Sequence, residues 1–393
     1  MRTPFAKAGG PFRGAPVYEL GRVAIAELIA TQDLDPASLD EVIFGNCGNP
    51  AEAANVARIA ALMAGVPEPV PAVSVHRNCA SGMESMSQMP LLYATEYATW
   101  LEGLMRAKTP AQKLGVFARF RPAMLRPRIA LAEGLTDYVC GLNMGQTAEV
   151  LAREFHIGRA RQDEWALVSH QRAVAARERL REEIVPVFPG PGFEMVRDDV
   201  GPREGQTLEA LGKLKPYFDR RNGTVTVGNA CQVTDGAVAL LIGDQATAAR
   251  WHTPPLGRIR AFSFAGLSPQ RMGLGPVFAA AKALAAAGLG LGDCELFEIN
   301  EAFAAQVLAC MEAAKSDAFA RAELGRVAAL GEFPAERLNV NGGAIALGHP
   351  VGASGARLLL TLLMEMRRRR LKRGLASLCV GGGQGAAFVL ERD

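Results

Sequence analysis

The sequence predicts an α/β protein of two similar layered halves, with a mostly helical segment inserted into the first. Three observations carry this. Short apolar runs alternate with helical segments at both ends of the chain, the pattern of a parallel α/β layer. Cys79-Ala80-Ser81-Gly82 in the first half resembles Gly352-Ala353-Ser354-Gly355 in the second, each after a short strand and a polar turn. From about Met83 to Lys215 the texture turns charged and Arg-rich, with Pro110, Pro122, Pro186 and Pro202 marking helix ends. The boundaries that follow are residues 1–100 with 216–248 for the first half, 101–215 for the insertion and 249–393 for the second half.

The first half opens at Arg2-Thr3-Pro4-Phe5 with no strand before it. Helix Val17–Thr31, strand Glu41–Phe44, helix Ala51–Ala64 and strand Ala72–Val75 follow, and the last runs straight into His76-Arg77-Asn78-Cys79. In the insertion the helical segments are Ala148–Glu154 and Arg161–Glu183, with long loops over Gly190–Gly212. The cluster Arg119, Arg121, Arg126 and Arg128 is read as a solvated face, a collar for an anionic cofactor being the minority reading. Gly223–Ala230 (GTVTVGNA) and Ala237–Gly243 read as a pair of strands separated by Asp235-Gly236.

The second half starts near Trp251, with strand Gly257–Phe264, helix Val277–Ala287 and strand Glu295–Ile299; Asn300-Glu301-Ala302-Phe303 then opens a helix. A short strand at Leu338–Val340 leads into a glycine-rich loop holding His349-Pro350. The helix from about Ala353 to Arg369 carries Leu358, Leu359, Leu362 and Leu363 at helical spacing. Leu375–Val380 is a buried strand followed at once by Gly381–Gly383 and Gly385, and Ala386–Leu390 closes the chain.

The repeat also exposes a gap. After Gly355 the chain spends Ala356–Val380 on a full helix and a strand before the next glycine turn. After Gly82 it passes directly into Met83-Glu84-Ser85-Met86. A parallel crossover needs a dozen or more residues, so by its own second copy the first half lacks a helix and the strand after it.

At 393 residues the chain is long enough for two or three cores. A net charge of +3 argues against a nucleic-acid partner. No apolar run reaches the ~20 residues of a membrane span, and MRTPFAKAGGPFRG lacks the apolar core of a secretory signal. The seven cysteines form no C-x-x-C pair, which fits a reduced, cytoplasmic protein better than a disulfide framework or a zinc site.

Cys79, His349 and Cys379 each stand on a turn at the carboxyl end of a strand, where open α/β sheets bind ligands. A cysteine at a strand-to-helix turn has its thiolate favoured by free backbone N–H groups and the helix dipole. His349 would accept its proton, and Cys379 would act as a second acid/base. A lone cysteine is more often a small buried apolar residue; the combination of turns points to acyl transfer through a thioester, with backbone N–H groups for the oxyanion.

These turns belong to a longer set of motifs: Asn78-Cys79-Ala80-Ser81-Gly82, Met144-Gly145-Gln146-Thr147-Ala148-Glu149, Gly223-Thr224-Val225-Thr226 with Gly228-Asn229, Asp235-Gly236-Ala237, Met272-Gly273-Leu274-Gly275-Pro276, Asn300-Glu301-Ala302-Phe303, Gly342 to Pro350, and Cys379-Val380-Gly381-Gly382-Gly383. In that order they resemble the thiolase family, specifically the degradative beta-ketoacyl-CoA thiolases, over nearly the whole chain. Leu101–Arg128 and Ser316–Glu332 look most like thiolase subunits of fatty-acid oxidation complexes.

The resemblance implies a duplicated αβαβα layered fold with both missing strands, one after Gly82 and one before Arg2, in the middle of the first half's sheet. It implies Cys79 as the acylated nucleophile, His349 as its base, Asn300 as the holder of a water in the same oxyanion site, and Cys379 as the acid/base for acetyl-CoA and incoming coenzyme A. The N–H groups of Cys79 and Gly381 would form a second oxyanion hole. No permanently bound cofactor is implied; coenzyme A is a substrate. Met144, Lys215, Ser263 and Ala261 are the candidate substrate and CoA contacts. Of these, Ala261 stands where many members have a serine, and Lys215, like Arg221, is read first as a surface residue. Glu301 is read as a helix-start carboxylate that orients its neighbours, His170 as structural, and His76, His156 and His252 as without a partner.

A homodimer or tetramer, and association with a multifunctional hydratase/dehydrogenase subunit, are further expectations from the family. A short helix over Ala80–Met89, stopped by Pro90, is what would hold Cys79. The alternative to an active enzyme is a thiolase-like interaction subunit impaired by the shortened first half. A biosynthetic condensing enzyme of the same fold is disfavoured, because those usually carry a histidine or asparagine where Cys379 stands.

Overall fold

The computed structural model describes residues 1–47, 50, 53–80, 91–92, 95–125, 128–129, 135–249 and 254–393. The first half contributes β1 (Ala6–Lys7), α1 (Val17–Thr31), β2 (Val42–Gly45), α2 (Val56–Met63) and β3 (Ala72–Val75). Then follow α3 (Thr95–Arg106), which begins before the expected start of the insertion, α4 (Pro110–Phe117), α5 (Met144–Glu154), α6 (Arg159–Ala175) and β4 (Thr234–Asp235). The second half holds β5 (Arg258–Gly266), α7 (Gly275–Ala287), β6 (Leu296–Ile299), α8 (Ala304–Ala314), α9 (Ser354–Arg369), β7 (Arg373–Val380) and β8 (Gln384–Glu391).

The second half builds one sheet, order β5-β8-β7-β6. Strand β8 runs antiparallel to both neighbours and β6 runs parallel to β7. Helix α7 and α8 cover one face with an alanine-rich core that includes Ala280, Ala283, Val307 and Ala309. On the other face α9 lays Leu358 and Leu362 against Leu378, Val380 and Ala386. The expected strand Leu338–Val340 is reduced to a single bridge, Leu338 to Phe297, because Asn339 turns left-handed and gives its side chain to the backbone of Ile299.

The first half forms no comparable sheet among the described residues. Strands β2 and β3 pair in parallel, and β1 pairs with β4. Among the described residues the backbone of residues 237–239 pairs with Met1–Thr3, through Thr3 N–H to Ala237 O and Ala239 N–H to Met1 O. Their counterpart β8 has a partner on each side. By the second half's order the strand lost after the crossover, the counterpart of β7, is central, as expected. The strand before Arg2 is instead the counterpart of the edge strand β5, so it does not belong in the middle.

The predicted strand pair Gly223–Ala230 and Ala237–Gly243 does not form either. In the first segment the buried Glu149 carboxylate accepts the amides of Thr224 and Val225, and Asn229 accepts that of Thr226, so turns replace a ladder. The second segment has no central strand to pair with among the described residues. The long helix expected over Arg161–Glu183 breaks at Ala176 into α6 and a short turn, Arg177–Leu180. Arg119 and Arg121 are exposed, as a solvated face requires; Arg126, His252 and the segment Ser81–Pro90 lie outside the described residues.

The chain start is fixed by charge. Buried Arg2 pairs with Glu183 at 2.7 Å and bidentately with Asp199 at 2.7 and 2.8 Å, while Thr361 of α9 donates to Glu183. Among the described residues no helix is long and apolar enough to cross a membrane.

Candidate active site

Three turns converge at the carboxyl ends of β3, β6 and β7. Leaving β3, the chain takes a single 3-10 turn over Asn78–Ala80. Asn78 adopts φ 42, a left-handed conformation that asparagine tolerates better than most residues. Its Nδ2 donates to Gly381 O at 2.8 Å, which ties the Cys79 turn to the glycine hairpin between β7 and β8. Sequence reasoning passed over Asn78; an asparagine directly before a cysteine at the end of a strand was the available signal. An Asn78→Ala variant is expected to lose about 2 kcal/mol in urea unfolding: ~1 for the hydrogen bond and ~1 for the left-handed backbone. Asn78→Gly keeps the backbone at ease and forfeits only the first part; equal losses in both would refute the backbone share.

The Cys79 sulfur is approached by two backbone amides, that of Gly381 and its own. They stabilise a thiolate, yet burial outweighs them and the thiol is held above a cysteine's usual value of about 9. The expectation of a thiolate at rest is therefore corrected: Cys79, half-buried as a residue, packs against the apolar cluster of α9, β7 and β8, which desolvates its thiol. Iodoacetamide labelling of Cys79 is expected to keep rising past pH 9. A plateau near neutrality would instead reveal a resting thiolate–imidazolium pair.

His349 is buried, and its ring is held at both nitrogens. Nδ1 lies 2.6 Å from Ser354 Oγ, and Nε2 lies 3.4 Å from Asn300 Nδ2. Its backbone N–H donates to Gln232 O. Burial, with the Arg357 cation behind it, pulls the imidazole down to about 3, so the ring is neutral. Asn300 follows β6, and its buried Oδ1 has no hydrogen-bond partner among the described residues. Cys379, on β7, is pushed well above the usual thiol range by burial first and then by the facing thiols Cys79, Cys310 and Cys231.

Cys231 is the second residue that sequence reasoning missed. It lies on the segment running beside His349, its N–H donates to Ala302 O, and burial and the charge of Cys79 raise it to about 12. Its place directly before Gln232, in a turn after Gly228-Asn229, was the only local hint.

Glu301 lies behind these groups. Its carboxylate accepts from Trp165 Nε1 (3.2 Å), Ser169 Oγ (2.6 Å), Asn339 Nδ2 (2.9 Å) and the Ile345 amide (3.3 Å). Gly343 passes so close that any Cβ there would strike this carboxylate. One buried charge thus joins α6, the Asn300 turn and the loop that leads to His349.

Of the candidate substrate contacts, Met144 opens α5, and its sulfur stands 3.6 Å from where a Cβ on Gly381 would be. Lys215 is exposed on the loop before Phe218, a ring packed beside Met144. Ser263 and Ala261 sit on β5, paired with Ala387 and Val389. They share the face of Cys379 but stand one and two rows further from its tip, the row of Cys379 being Gly385 and Ala265. His170 takes no part: burial and Arg203 lower it to about 4, and its Nδ1 accepts the Arg203 amide.

The sequence matches the thiolase N-terminal domain over residues 1–246 and the thiolase C-terminal domain over residues 253–392. The chain belongs to the thiolase family. Curated thiolases similar to it include the 3-ketoacyl-CoA thiolase of Pectobacterium carotovorum, 39% identical over 417 residues, covering 100% of this chain and 95% of that protein. The 3-ketoacyl-CoA thiolase of Yersinia enterocolitica is 37% identical with the same coverage. Among solved thiolase structures, the Bacillus anthracis acetyl-CoA acetyltransferase superposes with a TM-score of 0.85 at 33% identity, covering 100% of this chain and 96% of that one. Human mitochondrial 3-ketoacyl-CoA thiolase in complex with CoA gives 0.83 at 34%, again covering 100% and 96%.

By family this thiolase is an acetyl-CoA C-acyltransferase. The Pectobacterium alignment spans 417 positions against 393 residues here, so about 24 positions of that relative have no counterpart in this chain. That is the length of one average helix, one strand and their connections.

Proposed function

We propose that the chain is an active beta-ketoacyl-CoA thiolase of fatty-acid beta-oxidation, which cleaves its substrate with coenzyme A into acetyl-CoA and a shortened acyl-CoA. The observation that carries this is the pair of amides, from Cys79 and Gly381, aimed at one desolvated sulfur.

The Cys79 thiol attacks the β-ketone, and its proton passes to His349 Nε2 as the carbon–sulfur bond forms. Because the thiol is raised and the imidazole lowered, this transfer accompanies attack rather than preceding it. Asn300, through a water held by its unpartnered Oδ1, and His349 steady the thioester oxygen of the departing acetyl-CoA. The Cys79 and Gly381 amides receive the oxyanion at the ketone carbon. The carbon–carbon bond then breaks, and Cys379, protonated at rest, gives its proton to the enolate. The Cys379 thiolate next takes the proton of coenzyme A, whose sulfur displaces the acyl group from Cys79, and His349 returns the first proton.

Met144, beside Gly381, lines the acyl path. Lys215 is the proposed contact to the CoA phosphates, and Ser263 with Ala261 flanks the pantetheine arm. A cytoplasmic homodimer or tetramer, associated with a hydratase/dehydrogenase subunit, completes the reading. Acetyl-CoA formed from a 3-ketoacyl-CoA only when coenzyme A is added tests it. A purified, folded chain that forms none rejects it.

A further inference from the structure

Ser354 is the first residue of α9 and is fully buried, although a hydroxyl at that position does nothing for the helix's packed face. Its oxygen lies 2.9 Å from Pro350 O and 2.6 Å from His349 Nδ1. A hydroxyl has one hydrogen and a carbonyl oxygen can only accept, so the hydrogen points at Pro350. Oγ then faces Nδ1 with a lone pair, and Nδ1 must bring the hydrogen to that contact.

The opposite side of the ring agrees. Nε2 faces the Asn300 amide nitrogen, which is a donor. A neutral ring carries a single N–H, and the Arg357 cation, paired with Glu298 at 2.7 Å, disfavours a second. Ring nitrogens are distinguished by the partner each one keeps.

We infer that Ser354 is a positioning residue for the acylation step: it holds His349 as the Nδ1–H tautomer and so keeps Nε2 an acceptor, which takes the Cys79 proton in place of the long 3.4 Å contact from Asn300. The inference rests on the reading of His349 as the base, but the ring's protonation pattern can be read without any turnover. Without the hydroxyl, the hydrogen is free to move to Nε2, and the base is then capped on its working side.

The decisive measurement is 15N NMR of the histidine-labelled, unmodified chain at neutral pH, with His349 assigned by its loss in a His349→Asn variant. A protonated Nδ1 and a bare Nε2 are expected. The reverse pattern, with Ser354 donating to Nδ1, overturns the proposal whether or not the enzyme turns over. In the cleavage assay Ser354→Ala is expected to lower kcat about 10²-fold, the lower end of what a positioned base contributes, with KM little changed. Ser354→Thr, which restores a hydroxyl, is expected to recover most of that loss. A folded Ser354→Ala variant with the parent kcat would also overturn the proposal. An inactive parent chain would count against the thiolase reading and leave the NMR result to decide the role of Ser354.

Discussion

Replacing Cys79 with alanine is expected to lower CoA-dependent cleavage by roughly 10⁴–10⁶-fold, the range seen when a covalent nucleophile is removed. The loss should be this large because no neighbour can take its place. Cys379 lacks the paired amides aimed at the Cys79 sulfur and is held further toward the neutral thiol by the surrounding sulfurs. Cys231 is pushed up to about 12 and has its N–H turned to Ala302 rather than toward a reacting group. Intact-mass analysis supplies the complementary readout. With a 3-ketoacyl-CoA and no added coenzyme A, the parent chain should gain one acyl group on Cys79, and the alanine variant none. An alanine variant within tenfold of the parent rate would remove Cys79 from the mechanism.

Replacing Glu301 with alanine should cost about 2–6 kcal/mol of stability, at ~1–3 for each of the two buried donors left without an acceptor. Four donors lose their acceptor together: Trp165, Ser169, Asn339 and the Ile345 amide. Trp165 Nε1 and the Ile345 amide are then left as buried donors without an acceptor, while Asn339 keeps Ile299 O and Ser169 keeps the Gly343 amide. Burial raises the Glu301 carboxyl while those donors lower it, so the network exists to offset desolvation. Activity should fall with stability, because Asn300 precedes Glu301 directly and the Ile345 loop leads to His349. Urea unfolding measures the first effect. A change below about 1 kcal/mol would mean that the network relaxes onto other acceptors.

The second half was legible in the sequence because its signals are local. Glycine turns follow β7, helical spacing marks α9, and Cys379 sits where a strand ends, whereas His349 follows a short helix, Ala344–Leu347, in place of the expected strand end. The first half was less so, because its outcome depends on partners far away in the chain. GTVTVGNA alternates like a strand, yet its amides are captured by Glu149, 75 residues earlier. The protonation state of Cys79 misled for the same reason: amides near a turn can be foreseen, but desolvation against the apolar cluster of α9, β7 and β8 is a property of the assembled fold. Asn78 and Ser354 lie inside motifs whose other residues drew the functional reading, and their own parts emerge from their hydrogen bonds to Gly381 and His349.

The β2–β3 pair stops at a row of backbone groups on β2 that no described strand engages, with Ile43 64% and Val73 38% exposed nearby. An open ladder beside bare aliphatic side chains is a template for adding another chain. It also uncouples this corner from the four-stranded block, so amides of Val42–Gly45 should exchange with deuterium long before those of Arg373–Val380. The Cys79 turn follows β3 directly and inherits its anchorage from Asn78 and Gly381. In this protein the Cys79 sulfur is therefore moored to the four-stranded half of the molecule, while the strands that deliver it belong to the more open one.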